Sequence, residues 1–156
     1  MSTYAIGHVI NKICKNLNEH QIYLNVGVWK GFSLLAGMIN TKCEVIGIDN
    51  LSRKGSEQNI SYLNHHDIKL ICGDIRSQSD VDALPPVDWV IDCAANPSVL
   101  AGLDGQVSSR QVTEHNLLGT INLLEYCKMH RAGLILLSTS RVYSALELAN
   151  ISVQES

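Results

Sequence analysis

The chain predicts a three-layer, Rossmann-like α/β fold, a doubly wound parallel sheet with strand order 3-2-1-4-5. Three observations carry that expectation. Five short apolar runs alternate with stretches of helical periodicity. The runs are apolar almost throughout, as in strands covered on both faces, rather than alternating apolar with polar. A glycine turn, NVGVWKG at 25–31, joins the first run to the helix after it.

The elements follow in order. Residues 5–18 place Ile6, Val9, Ile10, Ile13 and Leu17 at helical spacing, an extra N-terminal helix within residues 1–20. Residues 21–26 (QIYLNV) form the first strand, ending at Gly27, and 31–39 return to a helical pattern. The second strand is CEVIGID (43–49), with Asp49 at its end, followed by a helix over 56–64. The third strand is DIKLICGD (67–74), and a short helix near 78–83 stops at Pro85-Pro86. DWVIDCAA (88–95) is the fourth strand. The strongest helix spans 109–130, with Val112, Leu117, Ile121, Leu124 and Cys127 along one side, and AGLILLST (132–139) is the fifth strand. Right-handed crossovers between parallel neighbours give the strand order. The chain divides into a dinucleotide-binding domain over 1–144 and a tail over 145–156.

Composition narrows the function classes. The chain has 156 residues, 46% hydrophobic and 17% charged, which suits one domain with a real core. A net charge of −3 with no basic block argues against nucleic acid as a partner. No apolar run approaches the ~20 residues that span a bilayer, and the N-terminus lacks the basic start and apolar stretch of a secretion signal. Five cysteines, with none at Cys-x-x-Cys spacing, point to a reducing cytoplasm. The six histidines do not pair with them at ligand spacing, so no metal site is expected.

Candidate ligand-binding residues fall at the carboxyl ends of the strands. Gly27 and Gly31 let the turn bring backbone amides to a bound coenzyme. Asp49, 22 residues after Gly27, is placed to accept hydrogen bonds from adenosine ribose hydroxyls, with Asn50 beside it. A carboxylate there would repel a 2′-phosphate, which favours NAD over NADP. Ala94 and Ala95 sit where the strand order reverses and leave room for a nicotinamide ribose, while Asn96 and Ser98 offer hydrogen bonds to sugar or phosphate. Asp74 ends the third strand, where it could also cap the next helix. Asn116, inside a strongly apolar helix, needs a partner.

The runs DNLSRKGSEQNISYL, DWVIDCAANPSVLAG, SSRQVTEHNLLGTINLLEYCKMH and LILLSTSRVYS together resemble the extended short-chain dehydrogenase/reductase family, in particular its NAD-dependent nucleotide-sugar epimerases. The nearest likeness is to the branch that epimerises CDP-linked dideoxyhexoses at C2, and it covers about residues 49–144. The resemblance implies that Asp74 accepts from the adenine amine while the Ile75 backbone meets the ring edge. It implies that Asn116 braces the active-site strand and loop beside the coenzyme. It makes Thr139 the catalytic hydroxyl, bonded to the sugar hydroxyl being oxidised, and sets Tyr143 with Asn96 and Ser98 near the substrate.

Two departures stand beside the resemblance. The family's Gly-x-x-Gly-x-x-Gly turn would need glycines at 27, 30 and 33, but Lys30 and Ser33 occupy the last two. YLNVGVWKGFSLLAGM, with a helix before it, resembles the first motif of S-adenosylmethionine-dependent methyltransferases, with Asn25 in place of the usual acidic residue. S-adenosylmethionine is therefore the alternative coenzyme. The family's general base is a tyrosine followed four residues later by lysine. Here His8, Gly27, His66, His130 and Glu147 follow Tyr4, Tyr23, Tyr62, Tyr126 and Tyr143 at that distance. The expectation is a truncated fold without the substrate domain, incomplete for catalysis alone. It would take a nucleotide sugar only when completed by a second chain, and its fifth strand would be an open edge through which it could oligomerise. A non-catalytic remnant or interaction module is the third reading.

Overall fold

In the computed structural model, which describes residues 3–28, 31–65, 68–95 and 108–137, the apolar runs and helical stretches resolve into a parallel sheet between two helical layers. Helix α1 (Thr3–Lys15) comes first, with Lys12 and Lys15 in its last turn, where the helix dipole favours cations. Strand β1 (Ile22–Val26) leads through the glycine turn to α2 (Phe32–Met38). Then come β2 (Glu44–Asp49), α3 (Gln58–His65), β3 (Lys69–Cys72), α4 (Gln78–Asp82) and β4 (Trp89–Asp92). Helix α5 (Ser109–Thr113) runs through a π-helical turn (Glu114–Leu118) into α6 (Gly119–His130), and β5 (Gly133–Leu136) follows.

The strand order is β3-β2-β1-β4-β5, with every neighbouring pair parallel, as the sequence predicts. Alternate side chains of each strand feed opposite cores. Leu24, Val26, Ile46, Ile48 and Val90 pack with Val81, Leu84, Leu123, Tyr126 and Cys127 on the α4–α6 face. Tyr23 and Ile91 pack with Ile10, Cys14, Leu17 and Ala36 beneath α1 and α2. A third cluster, Val28, Leu34, Leu63 and Ile68, seats α2 and α3 on the same side as α1.

The helix over 109–130 departs from its sequence reading. Leu117, Ile121 and Leu124 are exposed at 54%, 44% and 50%, whereas Gly119, Leu123, Tyr126 and Cys127 are buried. Of the expected stripe only Cys127 is buried: α6 carries apolar side chains on both sides, and hydropathy alone does not select the one that meets the sheet. The buried side is anchored by polar groups that hydropathy cannot weigh: the Tyr126 hydroxyl donates to the Pro85 carbonyl, and the Asn122 amide donates to the Ile75 carbonyl at 2.8 Å. A second correction concerns α4, which is capped not by Asp74 but by Ser77, whose hydroxyl accepts from the Asp80 amide.

Candidate functional site

Strands β1 to β4 end on one side of the sheet, and their carboxyl ends open into a crevice of about 810 Å³. That volume lies within the ~300–1,000 Å³ usual for small-molecule and cofactor sites. Its position is the switch point of the sheet, where β1 is flanked by β2 on one side and β4 on the other.

The floor is the turn after β1. Gly27 has a φ of +78° and its amide donates to the Ile48 carbonyl at 2.9 Å. A Cβ at Gly27 would stand 2.9 Å from the Ala94 backbone, so only glycine lets the β1 and β4 ends meet this closely. The turn is tight: the Gly31 amide donates to Val28 at 2.6 Å, and Gly31 itself is the left-handed N-cap of α2. Asn25 holds the turn from beneath. Fully buried, it accepts from the Tyr23 hydroxyl at 2.5 Å, while its amide group donates to the Gly27 carbonyl at 3.3 Å. This is the position where the sequence departs from an acidic residue. A carboxylate here would be a buried charge beside a Tyr23 hydroxyl whose own ionisation burial already pushes far up.

The β2–β3 end is polar. Asp49 accepts from the Val28 amide at 2.7 Å and the Leu51 amide at 2.8 Å, so one carboxylate ties the glycine turn to the loop after β2. Asn50 accepts from the Ser52 amide and hydroxyl, and donates to Asp74 at 3.2 Å. Asp74 also accepts from the Arg76 guanidinium through two nitrogens, the shorter contact being 2.6 Å, and from the Arg76 amide at 2.9 Å. The Arg76 hydrogen bonds hold the Asp74 carboxyl well below the usual carboxylate range. An adenine amine reaching Asp74 therefore has to share or displace a guanidinium that is already seated.

The β1–β4 end is apolar. Cys93, Ala94 and Leu137 line it together with Phe32 from α2 and Ile6 from α1. Burial pushes the Cys93 thiol up to about 11, which leaves it protonated and a poor nucleophile at neutral pH. Asp92, the buried last residue of β4, accepts from the Ala94 amide at 2.9 Å and from the Thr120 hydroxyl at 3.3 Å. Burial nevertheless raises its pKa.

Of the residues chosen from sequence, Gly27, Asp49, Asn50, Asp74, Ile75, Ala94 and Ala95 line this one crevice. Gly31 shapes the turn instead. Asn116 is exposed on the π turn and is not part of the lining; its neighbour His115 is, with Nδ1 2.6 Å from the Gln111 carbonyl. Both residues lie on the π turn (Glu114–Leu118). Asn96, Ser98, Thr139 and Tyr143 lie outside the described residues, as do Lys30 and the tail over 145–156. Sequence reasoning missed Ile6, Phe32 and His115. The only available signal for Ile6 was its place in a helix lying before the first strand. Among the described residues no cluster of His, Cys, Asp or Glu could hold a metal ion, and no helix is long and apolar enough to cross a membrane.

A parallel sheet with a positive-φ glycine turn at its switch point and an acidic residue closing β2 defines a Rossmann-type nucleotide-binding protein. Comparison with known proteins narrows the class. Residues 29–155 match the model of the NAD dependent epimerase/dehydratase family, and the chain belongs to that family. It is 29% identical over 123 residues to the CDP-paratose 2-epimerase of Salmonella typhi, covering 75% of this chain and 36% of that protein. The UDP-N-acetylglucosamine 4-epimerase of Methanobrevibacter ruminantium M1, solved with UDP-N-acetylmuramic acid, superimposes with a TM-score of 0.65 at 26% identity, over 90% of this chain and 44% of that one. The UDP-glucuronic acid 4-epimerase of Bacillus cereus, solved with UDP-glucuronic acid and NAD, gives 0.64 at 26% identity, over 80% and 42%. The chain thus spans about four-tenths of the length of these relatives.

Proposed function

We propose that this chain is the NAD-binding portion of a nucleotide-sugar epimerase, with a CDP-linked dideoxyhexose, inverted at C2, as the substrate. The carrying observation is the convergence of Gly27, Asp49, Asp74 and Ala94 on one crevice of the right volume. The crevice suits the coenzyme. Asp49 lines it at the end of β2, aimed by the Val28 and Leu51 amides, the place from which an acidic residue meets ribose hydroxyls. The contact between Gly27 and Ala94 sets the floor on which a nicotinamide ribose would rest.

When bound, NAD supplies a reversible hydride acceptor for the sugar carbon. The chain's own contribution is to hold adenosine at the β2–β3 end and to orient the sugar. In this reading the Thr139 hydroxyl bonds the sugar hydroxyl, while Asn96, Ser98 and Tyr143 hold the sugar. No tyrosine of the sequence has a lysine four residues on, so we assign the proton-accepting base and the substrate domain to a further stretch of polypeptide, on this chain or a second one. The loss of a general base costs a factor of roughly 10²–10⁴, and these residues alone should not turn over. All five cysteines are free thiols, which supports our assignment to the cytoplasm.

Calorimetric titration of the purified chain with NAD, NADH and S-adenosylmethionine tests the proposal. Micromolar binding of NAD is expected. A preference for S-adenosylmethionine, or binding of none of the three, overturns it.

A further inference from the structure

Helix α1 lies before residue 29, where the family match begins, yet it reaches the crevice. Its attachment is firm. The Asn11 side-chain amide donates to the Ala36 carbonyl at 2.8 Å and the Ile39 carbonyl at 2.7 Å, satisfying the last turn of α2 from outside. Ile10 and Cys14 are fully buried against the sheet. Gly7 faces the ring of Phe32, and a Cβ there would stand 2.8 Å from its Cζ atom, so the ring rests directly on the α1 backbone. Ile6, one residue earlier, packs, like Cys93 and Leu137, against the buried cluster of Ile10, Cys14, Tyr23 and Ile91, and Ile6, Phe32, Cys93 and Leu137 line the apolar end of the crevice.

Asp49, Asn50 and Asp74 mark the adenosine end at β2 and β3, so a dinucleotide lying across the switch point directs its other half toward β4 and α1. We propose that α1 is a specificity element of this site: Ile6, backed by Phe32, is the wall against which the nicotinamide half of the dinucleotide rests. This assignment rests on the NAD reading above. Because Asn11 and Gly7 lock the wall to α2, it discriminates by shape and by exclusion of water, and takes no part in the chemistry.

The test compares NAD with ADP, which shares the adenosine and pyrophosphate but lacks the nicotinamide half, by calorimetry on the full chain. Ile6→Ser and Phe32→Ser should each weaken NAD about tenfold while leaving ADP within twofold, as expected for loss of one apolar contact in a pocket. Gly7→Ala, which pushes the Phe32 ring toward the crevice, should shift the NAD-to-ADP ratio without touching Ile6. Thermal melting checks that each variant folds, and Ile6→Val, a smaller change, serves if Ile6→Ser does not. If the parent binds both nucleotides and no variant changes their ratio, or the variants weaken both equally, the assignment to α1 is wrong while the NAD reading stands. If the parent binds neither, both fall.

Discussion

At the β2–β3 end of the crevice, Asp49, Asn50, Asp74 and Arg76 exchange hydrogen bonds with backbone amides and with one another, whereas at the β1–β4 end Ile6, Phe32, Cys93 and Leu137 present carbon and sulfur. The polar end is set before any ligand arrives, since each carboxylate is already aimed by groups that would otherwise be unsatisfied. The apolar end is set by packing, and a ligand there gains chiefly by leaving water. Affinity at the first end should therefore follow single hydrogen-bonding atoms and pH, and at the second the shape of the wall. The glycine turn joins the two, because Gly27 touches Ala94 while Val28 donates to Asp49.

The largest expected effect breaks that junction. Gly27→Val introduces a side chain at a φ of +78° and against the Ala94 backbone. It should cost about 3 kcal/mol, the sum of left-handed strain and overpacking. Urea denaturation should show that loss together with loss of NAD binding; unchanged stability would mean that the turn is not held as described. Next is Asn25→Leu, which leaves the buried Tyr23 hydroxyl without its acceptor and should cost about 2 kcal/mol. Adding Tyr23→Phe should recover part of that, and a double-mutant cycle reads the coupling. Asp49→Asn keeps the shape but can accept from only one of the Val28 and Leu51 amides. It should weaken NAD about tenfold by calorimetry while leaving Cys93 and Ile6 in place.

The smallest effect concerns Arg76→Met. Asp74 has a folded pKa below its unfolded value, so the stability it contributes is present above the ordinary aspartate pKa, about 3.9, and drains away as pH falls through the depressed value. Both side chains remain partly exposed, so the pair is worth at most about 1 kcal/mol. The variant should be nearly as stable as the parent in acid and less stable at neutral pH. Equal melting temperatures of parent and variant at neutral pH would remove the ion pair from the account of this end.

How much of this was readable in advance depends on the element. The five strands and their order were legible because each is a short apolar run bounded by polar turns, and a parallel sheet admits few topologies. Gly27, Asp49, Asp74 and Ala94 were legible because they end strands, and in this architecture strand ends converge. The buried side of the helix over 109–130 was not, because α6 carries apolar side chains on both sides and hydropathy does not say which one meets the sheet. Nor was the engagement of Asp74 by Arg76, or the capping of α4 by Ser77: several polar residues in a row can each play either part, and only the backbone path selects one.

What the linear sequence settled by itself is the alternation of apolar strands and amphipathic helices, hence the layered parallel sheet and the side on which the crevice opens, because period and polarity act over a few neighbouring residues. Tertiary structure alone decided that residues 6, 32, 93 and 137 line one wall, and that Gly27 lies against Ala94 at the floor of the crevice. Those outcomes depend on distances between segments far apart along the chain, which local preference does not encode.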